Sequence, residues 1–281
     1  MEQQSGNTGW QVMGRAPEPG QLSMWTAQSV AHGADAIVYF RWRVSSFGTE
    51  QYWHGILPHS GNPGRRYEEL SATVHKLGPV MEQMKGSMPK CEVGIVFSFD
   101  QDYALEIQPN SPKLHYTAQL LKYYRALYDE QIPVDFVPAE GKFDQYKLLI
   151  APLQYMMTPK LEDKYFEYVR NGGHLILTMR SGIKDDTNIN MTDREIPGRL
   201  ADLAGIEVLD YDSLVSNSAK AQYRGKIYDI DVWSDLIHVT GTETEVLAEY
   251  ASEFYKGTPC MTANPYGKGA CIYIGTEKRE E

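Results

Sequence analysis

A carboxylate stands at the second position of the chain, in the run Met1-Glu2-Gln3-Gln4-Ser5-Gly6. The run reads as the last turn of a buried strand entering a polar, glycine-containing loop. A glutamate at the C-terminal end of a barrel strand is placed as the nucleophile of a hydrolase would be, and a Glu2 in that role would make the chain the back part of an enzyme. A terminal glutamate with no further context is more simply a solvated charge. Other chemistry-bearing residues are less suggestive. Cys91, Cys260 and Cys271 have no C-x-x-C spacing and are too few for a disulfide framework or a zinc site. Asp185-Asp186-Thr187-Asn188 lacks the ligand spacing of a calcium loop. The Gly-x-Gly of Gly267-Lys268-Gly269 joins two strands rather than a strand and a helix, so it is no phosphate loop.

The elements around Glu2 are those a barrel needs. Gln21 to Gly33 places Leu22, Trp25, Val30 and Ala31 at helical intervals, with Gly33 as a stop. Ala36-Ile37-Val38-Tyr39-Phe40 is rich in β-formers and predicts a strand buried on both faces. Alternation continued past it puts Phe40 and Trp42 on one face, with Arg41 and Arg43 on the other. After a glycine-rich loop, Arg65 to about Met84 carries Leu70, Val74, Leu77, Val80 and Met81 as a helical apolar stripe. Strand end, helix, strand, helix fits the final one and a half units of a parallel βα barrel. A doubly wound sheet gives the same local order.

Gly86-Ser87-Met88-Pro89 reads as a linker into a second block. There, strands are expected at 92–97, 133–137, 148–151 and 174–178, with helices at 113–131 and 159–170, the pattern of an open parallel sheet. A short helix at 196–205 precedes a β-rich region with strands at 223–232, 244–250, 260–263 and 270–274. At 281 residues the chain has room for two domains, and 42% hydrophobic with 23% charged residues is ordinary globular usage. A net charge of −10 provides no basic field for a nucleic acid. No apolar run approaches the roughly 18 residues of a membrane span, and no signal peptide is evident, though a chain lacking its front part would have lost one. Cysteine usage makes a reducing cytoplasm the expected location.

Four motifs occur in the order and spacing of one family: Met1-Glu2-Gln3 with Gly6, Gly9 and Trp10; Ala31-His32-Gly33-Ala34-Asp35; Tyr39-Phe40-Arg41-Trp42-Arg43; and Gly48-Thr49-Glu50-Gln51-Tyr52-Trp53-His54-Gly55. Together they resemble glycoside hydrolase family 42, the β-galactosidases, over nearly the whole chain. The resemblance implies an α/β protein: the C-terminal remnant of a TIM (β/α)8 barrel over 1–88, then a flavodoxin-like, class I glutamine amidotransferase-like α/β trimerisation domain over 89–281. It also implies retaining hydrolysis of terminal β-D-galactosides, with Glu2 as nucleophile. Retention needs a second carboxyl about 5 Å away. The family keeps that group on the fourth barrel strand, upstream of Met1, so no residue here takes its role.

The same resemblance implies substrate-binding roles for further residues. Trp10 would line the sugar pocket, an indole face being an apolar platform for the C–H face of a pyranose. Trp42 would floor the pocket or cap the barrel core. Glu50 matches a glutamate that accepts hydrogen bonds from galactose hydroxyls. In several relatives a histidine follows that glutamate by three positions, whereas here Trp53 holds that place and His54 follows, leaving open which contacts substrate. The amidotransferase type of fold can host a cysteine at a strand-to-helix elbow, but strand 174–178 runs into Met179-Arg180-Ser181-Gly182. The second block is therefore expected to be structural, with Tyr116, Tyr123, Tyr124 and Tyr128 on a helix as a candidate interface or, more simply, core. No metal or cofactor is expected; the expected partners are a β-galactoside substrate and two further copies in a homotrimer, with no nucleic acid and no membrane. The alternative is a non-catalytic oligomerisation module from a degenerate or truncated glycosidase.

Overall fold

Strand, helix, strand, helix is the order found at the start of the chain, in a computed structural model that describes residues 2–10 and 12–279. The chain divides into two compact units, Met1–Lys90 and Cys91–Glu281. In the first, β1 (Glu2–Gln4) pairs in parallel with β2 (Val38–Phe40), Glu2 opposite Val38 and Gln4 opposite Phe40. Helix α1 (Gln21–Ala31) crosses between them, and α2 (Arg65–Met84) follows.

Helix α1 begins at Gly20, whose φ of 91° and missing side chain leave its first N–H groups to be capped from elsewhere. Glu69 of α2 does this, accepting from Gly20 N–H at 3.0 Å and Ser23 N–H at 3.2 Å. Ser23 and Thr73 hydroxyls meet at 2.5 Å between the two helices. Leu22, Thr26 and Val30 of α1 are buried, as is Leu70 of α2.

Two expectations are corrected here. The strand expected to be buried on both faces is shorter, and Val38 is 65% exposed, because β2 has no sheet neighbour but β1 among the described residues. The apolar stripe of α2 is mostly open: only Leu70 and Thr73 are buried, while Val74 and Val80 face solvent.

The second unit is one mixed sheet with helices on both faces. Its strands are β3 (Val93–Phe97), β4 (Val134–Pro138), β5 (Leu148–Ala151), β6 (His174–Thr178), β7 (Ile206–Ser213), β8 (Ala219–Tyr223), β9 (Lys226–Val239), β10 (Glu245–Tyr250), β11 (Pro259–Tyr266), β12 (Gly269–Ile274) and β13 (Thr276–Lys278). Its helices are α3 (Phe99–Ile107), α4 (Tyr116–Asp129), α5 (Pro159–Arg170) and α6 (Leu200–Ala204). The sheet order is β13-β9-β8-β10-β11-β12-β6-β5-β3-β4, with β7 on β9. From β12 to β4 the neighbours run parallel; from β13 to β12 they run antiparallel.

Alternation along the parallel strands separates two cores. Leu149, Ala151, Leu175, Leu177 and Tyr273 meet Leu161, Tyr165 and Val169 of α5 on one side. On the other, Val93, Ile95 and Ile150 meet Ala104 and Leu105 of α3 and Tyr116 and Leu120 of α4. The expected helix 113–131 begins later, with His115 as N-cap. Helix α3, capped by the Ser98 hydroxyl accepting from Asp100 N–H, and strand β7 are additional. The strand expected at 223–232 is a hairpin of β8 and β9, turned by Arg224 and Gly225 at positive φ.

Candidate functional site

Three segments converge beyond the end of β2. Past Phe40 the chain leaves the sheet: Arg41 and Trp42 carbonyls accept from Ile56 and Leu57 N–H, each at 2.8 Å, and the Phe40–Arg41 peptide is cis. The expected alternation of residues 40–43 therefore stops at Phe40, since segment 56–57 rather than a strand takes those carbonyls. Gly55 makes the approach possible, a Cβ there falling 2.6 Å from Val44 N.

Loop 48–52 and Trp10 line an open groove of about 490 Å³ whose rim includes Glu50. Trp10 is 64% exposed and stacks on Trp53, ring centroids 5.2 Å apart at 26°. Glu50 is ion-paired with Arg41, and the Arg41 guanidinium lies over the Phe40 ring. Trp42 is exposed and meets Tyr67 of α2 edge-on.

His54 lies behind this wall and is only 2% exposed. Its ring is 5.0 Å from that of Trp53, and its Nδ1 lies 3.4 Å from Ser5 N–H and 3.2 Å from Ser5 Oγ. The Ser5 hydroxyl donates to the Phe40 carbonyl at 2.9 Å. Of the residues whose roles the sequence left open, His54 offers a ligand almost no surface, and Trp53 is half-buried against two rings. The backbone of Glu2 opens β1, three residues before Ser5; its side chain lies outside the described residues. Ser5, Arg41 and Tyr67 were not singled out from sequence. Ser5 lies in the run that carries Glu2 and Arg41 in the motif at 39–43, whereas no motif marks Tyr67.

The second unit has no reactive thiol among its three cysteines. Cys91, Cys260 and Cys271 are buried, and burial pushes their thiols up, to about 11 for Cys91 and about 12 for Cys260. The turn after β6 does hold an elbow-like residue: Arg180 at φ 62°. Its guanidinium lies 4.7 Å from the Trp233 ring and 5.1 Å from that of Tyr211, and bonds to Asn110. Its N–H donates to buried Asp235, which also accepts from Trp233 Nε1 and the Tyr273 hydroxyl, each at 2.8 Å. A cation boxed by aromatics on a hydrogen-bonded carboxylate is built for rigidity, not attack. Asp185 accepts from the N–H groups of Thr187 and Ile189 and from the Thr187 hydroxyl, a self-contained turn that holds its carboxyl below the usual range. No cluster of three metal-ligating side chains and no helix able to cross a membrane occurs among the described residues.

Two family models divide the chain between them. The model described as beta-galactosidase matches residues 1–80, and that described as beta-galactosidase trimerisation domain matches residues 91–281. The chain belongs to glycoside hydrolase family 42. Family 42 likeness extends over almost all of it. Beta-galactosidase BgaA of Clostridium cellulovorans is 34% identical over 278 residues, 98% of this chain and 42% of that protein. Beta-galactosidase LacZ of Heyndrickxia coagulans is 35% identical over 100% of this chain and 42% of its own length. Among solved structures, the beta-galactosidase from Bacillus circulans sp. alkalophilus superposes with a TM-score of 0.93 at 30% identity, over 99% of this chain and 42% of that one. The α/β fold is thus that of family 42 structures, and the chain spans well under half the length of these relatives.

Proposed function

We propose that this chain supplies the nucleophile side of a retaining β-galactosidase acting on terminal β-D-galactosides. In this role Glu2 attacks the anomeric carbon, and a carboxyl outside these residues protonates the leaving oxygen and then activates water. Trp10 offers the pyranose an apolar face, Glu50 accepts from sugar hydroxyls while Arg41 orients its carboxylate, and Trp42 closes the floor. The observation that carries the proposal is the groove in which Trp10 and Glu50 meet, beside the ends of two parallel strands of which one bears Glu2.

Residues 1–88 then form the C-terminal part of a TIM barrel. The unpartnered edge of β2 and the open stripe of α2 are surfaces that further barrel elements would cover. Residues 89–281 form a class I glutamine amidotransferase-like domain that trimerises the enzyme, in the cytoplasm. Exposed Phe99, Tyr103 and Ile107, four residues apart along α3, support an assembly role for this domain.

The test is a fusion of this chain behind the amino-terminal part of the Clostridium relative that it does not match. Turnover of a chromogenic β-galactoside is expected from the fusion and not from the 281 residues alone. A 2-deoxy-2-fluorogalactosyl reagent should label Glu2, and Glu2→Gln should reduce turnover to background. Labelling of another residue, or full activity in Glu2→Gln, would sink the proposal.

A further inference from the structure

We propose that His54 is a positioning residue that holds the Glu2 strand and the Trp10 platform in one geometry, rather than a contact for the sugar. The inference rests on Glu2 as nucleophile and Trp10 as platform. It starts from burial: a ring that is 2% exposed has no face to lay against a pyranose. The loop bearing it is fixed from behind, since segment 56–57 is bonded to the carbonyls of Arg41 and Trp42. Gly6 packs closely on the other side, a Cβ there meeting His54 Cβ at 3.2 Å.

From that fixed position His54 reaches two ways. Towards the strands, Nδ1 faces the N–H of Ser5, the residue after β1, and the Ser5 hydroxyl closes onto the carbonyl of Phe40, the last residue of β2. An N–H directed at Nδ1 suits the tautomer in which that nitrogen accepts and Nε2 carries the proton. Towards the groove, the ring supports Trp53, which in turn stacks on Trp10. One side chain thereby relates the register of the strand pair to the plane of the exposed indole. Small misplacements of this kind can cost on the order of 100-fold in rate.

Two substitutions separate the two arms. His54→Asn keeps an acceptor where Nδ1 was and removes the ring behind Trp53; Ser5→Ala removes the hydroxyl link and keeps the stack. On the chain itself, the Trp10–Trp53 pair should give a far-ultraviolet exciton couplet, assigned by its loss in Trp10→Phe. The couplet should at least halve in His54→Asn and persist in Ser5→Ala. A couplet unchanged in His54→Asn overturns the inference. In the galactosidase fusion, both variants should lower kcat by about tenfold, with KM in Ser5→Ala within about twofold of the parent. Unchanged kcat in both variants also overturns it. Deoxygalactosides give the last discrimination. A positioning role predicts the same kcat penalty for every hydroxyl removed, whereas a penalty in His54→Asn that vanishes with one missing hydroxyl marks a sugar contact and overturns the inference. A fusion without any turnover counts against the β-galactosidase proposal, and the couplet then decides the role of His54 alone.

Discussion

Asp235 shows how much a single buried group can carry in this chain. It is 1% exposed and gathers Trp233, Tyr273 and the Arg180 backbone onto one carboxylate. Asp235→Ala should cost about 3 kcal/mol, because three donors lose their acceptor inside the protein. Urea unfolding followed by circular dichroism measures this, and a midpoint equal to the parent's would refute it. Burial also pushes this carboxyl above its ordinary value of 3.8, although its hydrogen bonds pull the other way. In the fold it keeps its proton to higher pH than in the unfolded chain. Its contribution to stability is therefore largest below the ordinary value and declines as pH rises through the folded one. Asp235→Asn should remove that decline, giving a flatter dependence of stability on pH. At this scale the sequence was informative where family spacing marked a residue, as for Trp10 and Glu50. It assigned no role to Ser5 or Asp235, whose importance comes from partners 49 and 38 positions away.

Elements were legible where their ends carry chemical signals. Helix α5 begins at Pro159 behind the Thr158 cap and stops before Gly172, and the expected bounds match the observed ones. Helix α2 also runs between its expected bounds, but its apolar stripe did not mean burial in the described residues. Helix α3 escaped notice because its regularly spaced Phe99, Tyr103 and Ile107 point to solvent, and β7 because Asp210 and Asp212 interrupt its apolar run. Nothing near Gly20 in sequence announces that α1 is capped from another helix. Glu69→Ala should destabilise the first unit by about 1 kcal/mol, the usual worth of a cap, while Glu69→Gln, which keeps an acceptor, should lose less. Amide exchange of Gly20 and Ser23 tests it directly: exchange as slow in Glu69→Ala as in the parent would contradict the capping role.

At the scale of the molecule, the two units differ in how much each closes on itself. The second has a continuous sheet with a core on each face, whereas the first leaves Val38, Val74 and Val80 open. A trimer held by the second unit should give three times the chain mass by light scattering at micromolar concentration, and charge substitution at Tyr103 and Ile107 should reduce it to the single-chain mass. A clean single-chain mass for the parent would argue against trimerisation through this unit.

The position of β12 in the sheet has a consequence for how the protein is made. Residues 269–274 sit between β6 and β11, joining the parallel and antiparallel halves. During translation β6 and β11 leave the ribosome before the strand that belongs between them. Each emerges with a bare edge, open to pairing with a neighbouring nascent chain on the same message. A ribosome stalled ahead of Gly269 would hold two half-sheets with no seam, and such stalled chains should be captured by chaperones until the missing strand is synthesised.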